Sequence, residues 1–133
     1  MDAHVVEVKL SVEENETMTA HLVFRNKSGN SIYLNKQVVY YDGQVRNNYF
    51  EIENSNGDEI DYLGMMANCT RTPDEYILLQ PGEEISSAIS LKEFYELNKG
   101  NNYKVQYDAI NPGFKDQHQP SMEMQSNKVE ISY

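Results

Sequence analysis

The sequence predicts an all-β, immunoglobulin-like antiparallel sandwich of about seven to nine strands with no disulfide. Apolar and polar residues alternate with a period of two in short runs from end to end. Turn-forming residues separate these runs, and the ten tyrosines suit half-buried pleated surfaces. The single cysteine, Cys69, excludes an intramolecular disulfide. A chain of 133 residues predicts one sandwich domain spanning residues 1–133.

The first half of the chain supplies the first predicted strands. Residues 5–12 and 18–26 each place alternate apolar side chains on one face: Val6, Val8, Leu10 and Val12 in the first run, Ala20, Leu22 and Phe24 in the second. Residues 26–31 read NKSGNS, which predicts a turn before a short apolar strand at 32–34. Residues 47–64 predict a hairpin around Asn56-Gly57, because this pair tolerates positive φ.

The second half continues the same pattern. Residues 76–91 predict two strands around a Pro-Gly turn, and residues 91–97 supply the only plausible helical turn. The runs at 102–109 and 127–133 predict the last strands, with a polar, mobile loop over 111–125 between them. Tyr103 stands two residues before Val105, as the tyrosine of a tyrosine corner stands before the core cysteine of immunoglobulin-like domains.

The charge limits the partners. The 21 acidic and 11 basic residues give a net charge of −10, which argues against nucleic acid and against an anionic membrane surface. A protein with a basic surface is the natural complement. An unpaired strand edge leaves open a monomer or a weak dimer. Residues 1–12 lack the features of a signal peptide and therefore predict a cytoplasmic protein. If Met1 has replaced a leader, the prediction is periplasmic or secreted.

The sequence predicts no catalytic residue, no metal ligand and no cofactor, and so not an enzyme. The three histidines, His4, His21 and His118, lack partners at metal-binding spacing. Cys69 has no basic neighbour except Arg71, and no paired acids mark a cleft.

Four segments resemble a known family when they are taken in order. They are NNYFEIE at 47–53, YLG at 62–64, the run from PDEYILL to KEFYEL at 73–97, and GNNYKVQY at 100–107. Together they resemble the non-catalytic N-terminal domain that precedes the catalytic domain in bacterial deuterolysin-type, peptidyl-lysine zinc metalloendopeptidases. The resemblance implies a protein-binding domain whose partner is a zinc metalloendopeptidase. The chain departs from the family after YLG, where MMANCTR replaces a basic pair.

The loop at 64–75 is the candidate partner-binding site. Flexible methionine side chains adapt to a partner surface, and a Cys69 thiolate would cap a partner's zinc ion. The alternative is that these side chains pack beneath the loop. In the 111–125 loop, the side chains of Phe114, Met122 and Met124 either anchor a partner or cover the end of the sandwich. The predicted contact residues are Met65, Met66, Asn68, Cys69, Arg71, Phe114 and Met122.

Two functions follow from these features. The first is a non-enzymatic, protease-associated or inhibitor-like protein-binding module, with an immunity protein for a metalloprotease toxin as a variant. The second is a carbohydrate-binding or surface-adhesion module that stacks sugar rings on Tyr40, Tyr41 and Tyr49.

Overall fold

A computed structural model of the chain describes residues 5–133 and shows an all-β, immunoglobulin-like sandwich. His4, one of the three histidines considered above, lies outside the described residues. The only α-helix within them is the single turn α1 (Leu91–Phe94), where the sequence predicts it. The strands are β1 (Val6–Glu13), β2 (Thr19–Asn26), β3 (Ile32–Asn35), β4 (Phe50–Asn54), β5 (Tyr76–Leu79), β6 (Glu84–Ser90), β7 (Asn102–Asn111), β8 (Met122–Gln125) and β9 (Val129–Ser132).

Two layers of antiparallel strands enclose the core. One layer has the order β1-β2-β6, and in the other β7 pairs with β4 on one side and with β8 and β9 on the other. Strands β3 and β5 form a two-stranded sheet of their own. The alternation in the sequence sets the register: Leu10 lies opposite Leu22, and Phe50 opposite Tyr107, and all four side chains are buried.

An aromatic cluster fills the centre of the sandwich. The ring of Tyr107 meets the rings of Phe24 and Phe50 edge to face, with centroids 5.3 and 6.0 Å apart. The Tyr107 hydroxyl donates to the carbonyl oxygen of Val38 at 2.6 Å, so its burial leaves no unpaired polar group. Tyr40 stacks on Phe50 with a centroid distance of 5.7 Å.

The predicted tyrosine corner is confirmed. The Tyr103 hydroxyl accepts the backbone N–H of Asn98 at 2.8 Å and lies 3.2 Å from the Asn98 carbonyl oxygen. These bonds fix the chain where it turns into β7. Val105, at the usual cysteine position, is buried.

Two local predictions are wrong. The second half of the predicted hairpin is not a strand, because after Ile60 donates to the Ile52 carbonyl the chain leaves β4 and Tyr62 bridges to Tyr95. The 111–125 segment is not a long open loop, since it contains a 3-10 turn at Lys115–Gln117 and strand β8. Side-chain amides that bind the backbone of β3 hold this segment in place.

No helix within residues 5–133 is both long enough and apolar enough to cross a bilayer.

Candidate functional site

Three large apolar side chains project into solvent from the loop that follows residue 62. Leu63 is 60% exposed, Met65 61% and Met66 71%. We call these three residues the apolar patch. They account for half of the six exposed large hydrophobic residues within the described chain, and they fall within four positions. Scattered exposed apolar residues are normal, but such a cluster is typical of a contact surface.

The first half of the loop is held by hydrogen bonds and by one close approach. The backbone N–H of Leu63 donates to the Phe94 carbonyl at 2.8 Å, and the Tyr62 hydroxyl donates to the Met65 carbonyl at 2.6 Å. The Tyr62 side chain therefore folds back over Gly64. A Cβ on Gly64 would lie 2.5 Å from the Tyr62 hydroxyl oxygen, so any side chain there would force the Tyr62 side chain to move.

The second half of the loop is tied to the segments before β4. The Ala67 N–H donates to the Arg46 carbonyl at 2.9 Å, and the Asn47 amide donates to the Ala67 carbonyl. Further along, the Thr70 N–H donates to Gln37 Oε1 at 2.5 Å. These anchors leave little backbone freedom to be lost when a partner binds.

Buried tyrosines position the segment on which the loop rests. The Tyr40 hydroxyl donates to the Asn47 carbonyl at 2.9 Å and accepts the Tyr49 N–H at 2.8 Å. The Tyr95 hydroxyl donates to the Asn48 side chain and accepts the Phe50 N–H at 3.3 Å. Burial raises the pKa of both phenols above the usual value, so they remain protonated donors.

The surroundings of the Cys69 thiol favour its neutral form in the free protein. The side chain is half-buried, and burial raises the pKa of its thiol despite the opposing effect of Arg71. A nearby carboxylate, Glu75, raises it further. The neutral thiol packs against the core, which matches the alternative reading of this residue as a small hydrophobe. Asn68 and Arg71 on either side of it are exposed.

The prediction of Phe114 as a partner anchor is wrong. Its ring is 6% exposed and stacks on Tyr76 with a centroid distance of 4.3 Å, and it also meets Tyr33 edge to face. Phe114 therefore covers the end of the sandwich. Met122 lies half-buried on β8 opposite Asn111 and packs against the same core.

The predicted sugar platform is also wrong in its first residue. Tyr40 is fully buried because its backbone adopts a left-handed conformation (φ 54°) that places the ring in the core. Tyr49 is half-buried and its ring packs against Tyr40 with centroids 5.6 Å apart. Tyr41 is 41% exposed, but the ammonium group of Lys36 lies 5.4 Å from its ring centroid. The three rings form no shared stacking surface.

Leu63 and Tyr62, which precede the 64–75 loop, are not among the residues predicted for the site from the sequence. One pattern could have revealed Leu63, which is apolar but follows the last alternating residue of its run and so has no place on a buried face. The hydroxyl bond of Tyr62 could not be read from the sequence.

No protein-family model matches the chain, and no curated protein matches it either. Among residues 5–133, no group of three or more histidine, cysteine, aspartate or glutamate side chains is placed to hold a metal ion.

Proposed function

We propose that the chain is a non-enzymatic protein-recognition domain whose contact surface is the apolar patch. The observation that carries this proposal is the exposure of Leu63, Met65 and Met66 on an anchored backbone. Methionines supply apolar area in an adaptable shape, and burying exposed apolar area is favourable in association.

The charge distribution supports a protein partner. Residues 62–70 contain no charged residue, although the chain carries a net charge of −10. This uncharged stretch can therefore be desolvated at little electrostatic cost, while the surrounding acids attract a basic surface. Burial of the patch would supply the affinity for the partner, and the net charge would raise the rate at which the two proteins associate.

A zinc metalloendopeptidase is the partner class that the family resemblance suggests. An anchored loop with projecting methionines can enter an enzyme cleft with little ordering cost, and that would restrain the enzyme. Zinc capping by Cys69 stays part of this proposal, because zinc binding would displace the thiol proton whose loss burial disfavours. Occupation of the cleft by the patch would restrain the enzyme as well.

Calorimetry with a purified deuterolysin-type, peptidyl-lysine metalloendopeptidase tests the partner class. The wild-type chain should bind, and the double variant Met65→Ser/Met66→Ser should bind at least about tenfold more weakly. Ile110→Ser is the matched control, since Ile110 is 63% exposed but lies on β7. If the wild-type chain does not bind, this partner class is wrong. If the Met65→Ser/Met66→Ser variant binds as tightly as the Ile110→Ser control, the patch is not the contact surface.

A further inference from the structure

The outer edge of β6 is an open strand edge. β6 pairs with β2 alone, in a register that places Asn26 opposite Glu83, Phe24 opposite Ile85 and Leu22 opposite Ser87. The Asn26 N–H donates to the Glu83 carbonyl at 3.0 Å, and the Leu91 N–H to the Met18 carbonyl at 3.1 Å. Along an antiparallel strand, residues that hydrogen-bond to the neighbouring strand alternate with residues that do not. The backbone groups of Ile85, Ser87 and Ile89 therefore bond to β2. The backbone N–H and C=O groups of Glu84, Ser86 and Ala88 point away from β2, toward the open edge.

Nothing within residues 5–133 hydrogen-bonds to these outward groups of Glu84 and Ser86, or to the N–H of Ala88. The free edge ends at the Ala88 carbonyl. There the 3-10 turn Tyr41–Gly43 closes in, and a Cβ on Gly43 would lie 3.0 Å from the Ala88 oxygen.

The edges of three other strands, β1, β3 and β4, carry bonds from elsewhere in the chain. The Asn127 side-chain amide accepts the Leu10 N–H on β1 at 2.8 Å and donates to the Leu10 carbonyl at 3.0 Å. On β3, the Gln119 side-chain amide accepts the Tyr33 N–H and donates to the Tyr33 carbonyl, both at 2.8 Å. On β4, the Ile52 carbonyl accepts the Ile60 N–H. Such closure is the usual protection of edge strands, and β6 lacks it between Glu84 and Ser87.

The side chains beside the β6 edge suit an incoming backbone. Ser86 and Ala88 are small and exposed, and they line a shallow groove together with Tyr41 and Asp42. Ser87 also lines this groove, and its hydroxyl is buried with no hydrogen-bond partner in the described part of the chain. Ile85 on the inner face is only partly buried, so an added strand would cover apolar area as well.

We propose that the β6 edge accepts an extended, basic polypeptide segment of another protein as an additional strand. A peptide backbone is the ligand whose donors and acceptors match this edge. The edge carries acids at both ends, Glu83 and Glu84 at one and Asp42 beside the other. A segment whose two basic side chains stand four positions apart, one opposite Glu84 and the other beside Asp42, would meet both acidic ends. A second copy of the chain, with its own charge of −10, fits less well.

The probe is the peptide acetyl-Lys-Val-Ser-Val-Lys-amide, titrated into isotopically labelled protein and followed by backbone amide shifts. The matched control peptide carries N-methyl groups on the serine and on the second lysine, the residues that lie opposite Ser86 and Glu84 in an antiparallel ladder. It keeps every side chain and charge but lacks two ladder donors. We expect shifts centred on Glu84, Ser86 and Ala88, weakening with added salt, and an affinity about tenfold lower for the methylated peptide.

Three results would overturn the proposal: no shifts up to millimolar peptide, shifts elsewhere with β6 unchanged, or equal affinity for the methylated peptide. A protein variant gives a second check. Ser86→Pro removes an outward N–H from an edge strand, where proline is tolerated, and should weaken binding while circular dichroism shows the fold retained. Should that variant unfold, the methylated peptide still decides the question.

Discussion

Tyrosine hydroxyls make many of the hydrogen bonds that fix the local backbone structure of this chain. Those of Tyr40 and Tyr95 hold the segment before β4, that of Tyr103 fixes the start of β7, and that of Tyr62 shapes the candidate loop. A tyrosine can pack its ring in the core and still bind a backbone group with its hydroxyl. The abundance of tyrosine is therefore a structural feature of this sandwich as well as a sign of strand propensity.

Removal of the corner hydroxyl should destabilise the fold. Tyr103→Phe leaves the Asn98 N–H without its partner, so we expect a loss of about 1 kcal/mol in the free energy of unfolding. Urea denaturation measures it. Tyr133→Phe is the matched control, because that hydroxyl makes one exposed bond, to the Glu16 carbonyl, and its removal should cost much less. Equal losses in the two variants would contradict the corner's role.

The thiol of Cys69 should react slowly. Burial raises its pKa, so less thiolate is present near neutral pH than for a free cysteine. We expect reaction with Ellman's reagent at pH 7.5 to be slower in the folded protein than in urea, where the thiol titrates normally. A faster reaction in the folded protein would indicate an activated thiolate and contradict the effect of burial on the thiol.

At the scale of elements, the strands could be predicted from the sequence and the loops could not. Alternation placed β1, β2, β4 and β7 correctly, because one face of each strand is buried. The loops depend instead on single distant bonds. Gln119 reaches Tyr33 across 86 positions, and Gln37 reaches Thr70 across 33, and no local pattern encodes such contacts. The same reason explains the wrong predictions for Phe114 and Tyr40.

The candidate site was predicted in part. A methionine pair outside any alternating run indicated Met65 and Met66, and both are exposed. The loop's rigidity was not foreseeable, since it comes from the Tyr62 side chain and from the segments at Arg46 and Gln37.

The shape of the loop should depend on Gly64. In Gly64→Ala, the new methyl group must displace the Tyr62 ring, and the bond from the Tyr62 hydroxyl to Met65 is lost. We expect a stability loss of about 1 kcal/mol, with amide shifts changing over residues 62–67. Gly29→Ala is the control, because nothing lies within 4 Å of its Cβ position. Unchanged amide shifts around Tyr62 in the Gly64 variant would show that the loop is not held in this way.

At the scale of the whole molecule, the buried phenols set the limit of stability in alkali. Burial raises the pKa of Tyr40, Tyr95 and Tyr107 in the folded state above the ordinary value of 10.0. The unfolded chain then loses these protons first as the pH rises. The protonated phenols therefore contribute their full share to the free energy of unfolding below pH 10, and this contribution is lost as the pH rises above it.

Three such groups should lower the free energy of unfolding by about 4 kcal/mol per pH unit above their ordinary pKa. We expect a cooperative loss of circular dichroism in this range. A step in tyrosinate absorbance at 295 nm should coincide with it, and the urea-unfolded chain should instead titrate smoothly near pH 10. Smooth titration of every tyrosine in a chain that stays folded would contradict the burial of these rings.

The acidic charge of the whole molecule and the uncharged, apolar stretch at residues 62–70 together define the proposed recognition domain. The charge of −10 disfavours association between copies, and the patch gives a partner apolar area to bury. A variant that changes only the patch separates these two contributions, since it leaves the charge of the chain unaltered.

The most direct test of the recognition account is quantitative affinity capture from the source lysate and culture fluid, with three immobilised chains compared by mass spectrometry. These are the wild type, the patch variant Leu63→Ser/Met65→Ser/Met66→Ser, and the control Ile110→Ser. The account predicts a protein enriched equally by the wild type and the control and lost from the patch variant. A protein captured equally by all three chains, or none captured by the wild type, would contradict the patch as the contact surface.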